Sequence, residues 1–381
     1  MSFRVRWVMR LLLISSFLIY HNADAASEAW SGVNTSAESW RGFNLGTNGI
    51  PSRGLSDFQA LRATGANLVR IALHSQHANG SDTYTLTPAD WAFMDMVVAA
   101  GEKLGFRVVI TLAPQPGGPK AEYWHSPAQQ ASIANLWSQI AAHFKGNTTI
   151  AGFDLINEPV PPGGSGSVGK LIGLADKVLN KLGETTSQPA NPIAVQAQAW
   201  SSFAGQLIQA IRQQDPNRTV IVEPAPWGHA EGFAYQPKLP YGNVVYSLHF
   251  YDPFVLTHQG IYGNPPGVPY PSGPWNQAWL SQKLAPVRDF AQKYGVPVYV
   301  GEFSIIRWAP GKSRENYLND LIPLFDAQGW PWTYHAFRGY QGWIAELAGD
   351  LPRHLKNAEP LYSSQTGTMQ LLKSYFKHNS P

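Results

Sequence analysis

The sequence runs to 381 residues, enough for one large barrel or two ordinary domains, and its 44% hydrophobic and 14% charged content describes a chain that folds. A formal charge of +3 with no Lys/Arg cluster excludes the electrostatic footprint of a nucleic-acid binder. Cysteine is absent, which excludes disulfides and a lipid-modified cysteine alike.

At the N-terminus, Arg4, Arg6 and Arg10 precede an apolar stretch over 11–20, and Ala23-Asp24-Ala25 supplies a small-x-small cleavage pattern. This predicts a secretory signal peptide over 1–25 and a mature domain over 26–381, exported to the periplasm or the medium. The apolar stretch is too short to cross a bilayer, which needs roughly 20 residues, so no membrane association is expected after cleavage. Removing 1–25 leaves a net charge of +1.

Short β-rich runs then alternate with amphipathic helical patterns. Strands are predicted around 40–46 (WRGFNLG), 67–73 (NLVRIAL), 107–113 (RVVITLA), 150–157 (IAGFDLIN), 219–225 (TVIVEPA), 244–250 (VVYSLHF), 297–303 (PVYVGEF) and 331–337 (PWTYHAF). Between them, TPADWAFMDMVVAAGEKLG opens on a Thr cap with proline in the first turn and stops near Gly105. ASIANLWSQIAAHFKG and AWSSFAGQLIQAIRQQ carry apolar residues three and four apart. Eight such units predict an α/β fold, a single (β/α)8 TIM barrel. No G-x-G-x-x-G follows the first strand, so nothing supports an open dinucleotide-binding sheet. The connections after strands 4 and 6 are long, which marks them as functional or irregular. The first contains GKLIGLADKVLNKLG, predicted as a small helix over the rim, and the second is rich in Pro, Gly and Tyr.

In such a barrel, polar residues at the C-terminal strand ends face the site. Strand 4 ends at Asn157-Glu158-Pro159, where the proline stops the strand and biases Glu158 to an extended conformation. Strand 7 ends on Glu302, after Gly301. Each glutamate alone reads as a rim ion pair. Together, facing each other across the barrel mouth, they form the carboxylate pair that glycoside hydrolysis needs. Asp154 is expected in the barrel interior with a hydrogen-bond partner, and Glu223, which ends strand 5 before a proline, as a rim or supporting residue. His74 and His77 have the wrong spacing for a metal site, and no metal or cofactor is expected.

With these strand ends, the chain resembles the cellulase-type family-5 glycoside hydrolases, retaining enzymes built on the (β/α)8 barrel. The resemblance implies Glu158 as acid/base and Glu302 as nucleophile. It implies Asn157 as the partner of the sugar 2-hydroxyl and Arg70, in LVRIAL, as the guanidinium that keeps the nucleophile ionised. His249 and Tyr251, in SLHFYDP, match the family's strand-6 His-x-Tyr. Two positions depart from the pattern. Ala113 stands where a strand-3 His is usual, and His335 where the strand-8 Trp stacks under the central sugar. Trp332 or Trp343 is then expected to supply that platform. Trp227, just past strand 5, is a further stacking candidate, with Trp124, Trp275 and Trp308 as weaker ones. The expected partner is a β-linked polysaccharide or oligosaccharide, cut by endo-action on a β-glucan. The alternatives are a mannan-specific or exo-acting relative and an inactive carbohydrate-binding barrel.

Overall fold

The computed structural model describes residues 30, 39–45, 54–77, 81–162 and 191–379. Eight parallel strands close into a barrel in chain order. They are β1 (Arg41–Leu45), β2 (Leu68–Leu73), β3 (Arg107–Leu112), β4 (Ile150–Asp154), β5 (Val220–Val222), β6 (Val244–Phe250), β7 (Val298–Phe303) and β8 (Trp332–Phe337). All eight expected strands are present. Pairing of β1 with both β2 and β8 leaves the sheet without an edge.

Helices pack around the outside: α1 (Leu55–Arg62), α2 (Pro88–Leu104), α3 (Pro127–His143), α4 (Pro192–Gln214), α5 (Phe254–Thr257), α6 (Gln277–Lys283), α7 (Ala285–Tyr294), α8 (Ser313–Asp326) and α9 (Gly367–Phe376). Their starts follow local chemistry. In α2 the Thr87 hydroxyl accepts from the Asp90 N–H, the Asp90 carboxylate accepts from the Thr87 N–H, and Pro88 occupies the first turn. Gly105, at φ +75°, ends that helix in the left-handed conformation. Helices α3 and α4 begin earlier than their apolar periodicity suggests, because Ser126 and Asn191 cap them ahead of Pro127 and Pro192. The expected signal peptide and the rim helix at 169–183 lie outside the described residues. Among the described residues, no helix is long and apolar enough to cross a membrane.

Two apolar layers result. The larger lies between sheet and helices. The smaller fills the bottom of the barrel with Leu68, Val109, Ala151, Ile221, Val245 and Tyr299, closed below by Trp30. Above that floor the interior turns polar. Asn44, Arg70, Thr111, Asp154, Ser247 and Thr333 are all buried there, and this band leads up to the C-terminal strand ends.

Candidate active site

Arg70, from β2, is fully buried and spends all five of its N–H donors on side chains. Nε donates to Asp154 at 2.9 Å. Nη1 donates to Asn44 at 3.1 Å and to Glu302 at 2.8 Å. Nη2 donates to Asn157 at 2.9 Å and to Glu223 at 2.8 Å. A guanidinium removed from water is tolerable only when its charge is matched in this way. Burial would by itself lower the Arg70 pKa, but Asp154, Glu223 and Glu302 win and raise it.

Glu302 reaches this cluster through a bulge. Along β6 and β7, Leu248 pairs with Val300 and His249 pairs with Glu302, so Gly301 is an extra residue. Strict alternation from Tyr299 would turn Gly301 inward and Glu302 outward; the insertion reverses that. The displaced Gly301 carbonyl is accepted into the barrel, bonded by Asn44 Nδ2 at 2.7 Å and Thr333 Oγ1 at 2.6 Å. A Cβ at Gly301 would sit 2.5 Å from Ser247 Oγ and 3.0 Å from His249 Nε2, so any larger residue would have to push these side chains aside. Glu302 also accepts from the Tyr251 hydroxyl at 2.8 Å. Burial would raise the Glu302 pKa, but His249, His335 and Arg70, together with the Tyr251 bond, lower it to about 2.

Glu158 is placed differently from the extended strand end expected of it. Strand β4 stops at Asp154, although Leu155 and Asn157 still donate to Ile221 of β5 and Leu112 of β3 on either side. Glu158 itself adopts φ +49°, a left-handed conformation unusual for a residue with a side chain. Its N–H leaves the sheet direction and donates to Glu223 Oε2 at 2.9 Å. Pro159 disfavours the right-handed helical region, and the Glu223 bond selects the left-handed one over the extended alternative. Glu158 Oε1 lies 3.2 Å from His249 Nδ1, and its side chain remains 35% exposed. Desolvation in the cleft raises its pKa; the bond and charge of His249 oppose this without overcoming it.

His249, from β6, joins these carboxylates. Its Nε2 lies 3.2 Å from Glu223 Oε1, and its Nδ1 lies 3.9 Å from Glu302 Oε2. Burial would lower its pKa, but Glu223 and Glu302, with the bonds to Glu158 and Glu223, raise it to about 10. The ring is therefore an imidazolium across the neutral range. Glu158, His249 and Glu302 each bring one polar atom within 4.8 Å of the others, a grouping that could also hold a metal ion. A second such group is His229, Glu231 and Asp252, in which His229 Nδ1 lies 3.0 Å from Glu231. The His229 pKa is raised to about 9, against the effect of burial, by Glu231 and Asp252.

The other expected residues divide. His335 faces the centre, with Nδ1 3.7 Å from Glu302 Oε2, and burial lowers its pKa. Trp343 belongs to the same wall, its ring 5.4 Å from His335 and 5.9 Å from Tyr251. Trp227 is half-buried, and its backbone N–H donates to the Pro159 carbonyl, next to Glu158. Trp332 is a correction. It is fully buried at the start of β8, packed on Phe303 and Phe376 with its Nε1 on Asp326, and presents no face to a ligand. Trp308 is tied to the Gln259 carbonyl, and Trp124 to that of Gly118. Ala113 is buried beyond the end of β3, where Gln115 pairs with His74.

Sequence reasoning missed Asn44 and left two places open for Glu223. Asn44 was visible as a polar side chain between Phe43 and Leu45 in the strand RGFNL. Glu223 is wholly buried and bonds Arg70 and the Glu158 backbone while facing His249, so of the two places expected for it the structure gives the supporting one, not the rim.

A family model described as Cellulase (glycosyl hydrolase family 5) matches residues 22–341. Endoglucanase 3 of Fibrobacter succinogenes is 21% identical over 342 residues, covering 79% of this chain and 47% of that protein. A beta-xylosidase of Phanerodontia chrysosporium is 22% identical over 323 residues, covering 78% of this chain and 59% of that one. The chain thus spans about half the length of these curated relatives. Among solved structures, Thermotoga maritima Cel5A in complex with cellobiose superposes with a TM-score of 0.64 at 20% identity, covering 89% of this chain and 97% of that one. The same protein in complex with mannotriose gives 0.63 at 21% identity, covering 86% and 97%. At these identities the structural likeness speaks for the barrel fold.

Proposed function

This chain belongs to the cellulase family, glycosyl hydrolase family 5; we propose that it is a glycoside hydrolase that cleaves a β-linked glucan internally, with retention of configuration. The observation that carries the proposal is the Glu158–Glu302 pair. The two bring one oxygen each within 4.8 Å, and their acidities are driven in opposite directions. Retaining glycosidases hold their carboxyl groups about 5–5.5 Å apart, whereas inverting ones leave room for a water between them.

In this reading Glu302, ionised and held by Arg70 and Tyr251, attacks the anomeric carbon. The C–O bond to the leaving sugar breaks as Glu158 gives its proton to that oxygen. Water then enters, Glu158 takes its proton, and the resulting hydroxide displaces the glycosyl ester from Glu302. The His249 imidazolium beside Glu158 suits both halves, because it stabilises the carboxylate that forms after proton donation. Arg70 bonds the Asn157 oxygen and so leaves the amide NH2 for the sugar 2-hydroxyl. The proposal includes export through a signal at 1–25, as a polymeric substrate outside the cell requires.

A mannan substrate is the second reading, supported by the mannotriose complex of the Thermotoga protein and by the missing strand-3 His. Reducing-sugar release from soluble glucan, mannan and xylan tests both. Glucan is expected to give the largest kcat/KM; a preference for mannan would replace the first reading with the second. Glu158→Gln is expected to lower turnover by about 10²–10⁴, and Glu302→Gln by at least as much. Near wild-type rates in either variant would remove the assignment. Proton NMR of the first-formed product should show the β-anomer, and an α-anomer would mean inversion.

A further inference from the structure

The segment from β8 to α9, residues 338–366, carries Trp343 and holds only one short turn of helix, at Glu359–Leu361. Its carbonyls therefore need donors from elsewhere. Two arginines that follow β7 supply them. Arg307 donates to the carbonyls of Gln341, Ala348, Leu351 and Pro352. Arg314, in the first turn of α8, reaches the stretch between. Its Nη2 donates to the carbonyls of Trp343 at 3.1 Å and Ile344 at 3.0 Å, and to the Tyr334 hydroxyl of β8 at 2.7 Å. Its Nη1 lies 3.5 Å from the Leu347 carbonyl. The two arginines are 1% and 4% exposed, so a bond lost here leaves a buried group unpaired.

What Arg314 fixes is the root of the Trp343 ring. That ring stands among the groups that serve Glu302, 5.9 Å from Tyr251 and 5.4 Å from His335. Its Nε1 donates to the Thr257 carbonyl at 3.4 Å, and the Thr257 hydroxyl donates to the Tyr251 carbonyl at 2.6 Å. Tyr251 and His335 converge on one carboxylate oxygen: the Tyr251 hydroxyl donates to Glu302 Oε2 at 2.8 Å, and His335 Nδ1 lies 3.7 Å from it. The other oxygen, Oε1, is held by Arg70. The remaining charged neighbours of Glu302 are His249 of β6, 3.9 Å from Oε2, and Glu158 beyond β4. Contacts thus run without a break from Arg314 through Trp343 to Glu302 Oε2.

We propose that Arg314 is a positioning residue of this site: by anchoring the Trp343 carbonyl it holds Tyr251 and His335 against Glu302 Oε2. The proposal rests on the reading of Glu302 as the nucleophile. Tyr251 and His335 both lower the Glu302 pKa, so a loosened wall raises it and moves the acid limb of activity to higher pH.

A double-mutant cycle of Arg314→Lys and Trp343→Phe in the full chain tests this, with kcat and KM on soluble glucan followed against pH. Lysine keeps the charge without the fork, and phenylalanine keeps a ring without Nε1. Each single variant is expected to lower kcat at neutral pH roughly three- to tenfold and to raise the acid limb by about one pH unit. The double variant should go no further than the stronger single one, because both act through one contact. Phe376→Ala, which removes a buried ring packed on Phe43, should leave the acid limb in place. An unchanged kcat and acid limb in Arg314→Lys, effects that simply add in the double variant, or an equal shift in Phe376→Ala would each overturn the proposal. Arg314→Gln, which donates at a single point, carries the cycle with the same expectations where the lysine variant does not fold. A parental chain that cleaves no β-glycoside, or a Glu302→Gln variant at full rate, would remove the nucleophile reading and the proposal with it, and shows before the cycle begins.

Discussion

Glu158 and Glu302 are the same side chain, and what separates their acidities is which neighbours each one meets. Glu302 faces Arg70, two histidines and a tyrosine hydroxyl, and its proton is lost at about pH 2. Glu158 has only His249 to favour its charged form, against desolvation and the nearby charges of Glu302 and Glu223. The proposed chemistry needs Glu302 ionised and Glu158 protonated. Activity should therefore fall on the acid side only as pH approaches about 2, and on the alkaline side as pH rises through the raised pKa of Glu158. A profile of kcat/KM against pH should show an acid limb below the ordinary carboxylate range and an alkaline limb above it. Glu223→Gln removes one of the charges that raises the Glu158 pKa; it also takes away the largest charge that raises the His249 pKa, leaving Glu302 and the Glu158 bond to hold that proton. Its alkaline limb should move to lower pH. An alkaline limb that stays in place or moves upward would show that Glu223 does not act on Glu158 through charge.

At the scale of elements, the bulge in β7 decides whether the nucleophile candidate faces the barrel or the helices. Gly301→Ala would force Ser247 and His249 aside, at a cost of about 1–3 kcal/mol in overpacking. Because His249 is one of the displaced groups, turnover well below the melting temperature should also fall by more than tenfold. Denaturant titration and kinetics on the same variant check both, and a stable variant at full activity would mean the bulge tolerates a Cβ. This is also where the sequence stopped being readable. Strand positions followed from apolar runs, because β-branched residues in a fully buried parallel sheet form continuous stretches. The glutamates were legible because each closes such a stretch. The extra residue at Gly301 and the left-handed Glu158 were not, because a bulge or a single φ leaves the local pattern unchanged. Trp332 was misplaced for a related reason: alternation at the start of β8 puts it toward the helices, and aromatic content alone does not say which face a ring occupies.

For the whole molecule, closure of the barrel brings together segments from opposite ends of the chain. Phe376 of α9 packs on Phe43 of β1 at 5.2 Å and on Trp332 of β8 at 5.5 Å, directly over the closing seam. Asn379 adds bonds to the carbonyls of Arg41 and Gly65. These contacts lie at the N-terminal ends of the strands, away from Glu158 and Glu302. Phe376→Ala is expected to lower unfolding free energy by about 3–5 kcal/mol, read by chemical denaturation. Turnover at temperatures where the variant is folded should stay near the parental rate. A parallel loss of turnover would mean that the seam transmits strain to the strand ends.

The polar band inside the barrel bears on how the chain responds to selection for heat tolerance. Ser247 and Thr111 carry buried hydroxyls with no hydrogen-bond partner among the described residues, and Glu223 and Asp154 crowd their carboxyl groups around one arginine. Apolar replacements at these positions are attractive to any screen that scores ruggedness alone. Yet Asn44 and Thr333 hold the Gly301 carbonyl, and Glu223 holds the Glu158 backbone. Variants gathered for robustness from this layer would lose their chemistry first, while those gathered from the outer helix layer would keep it.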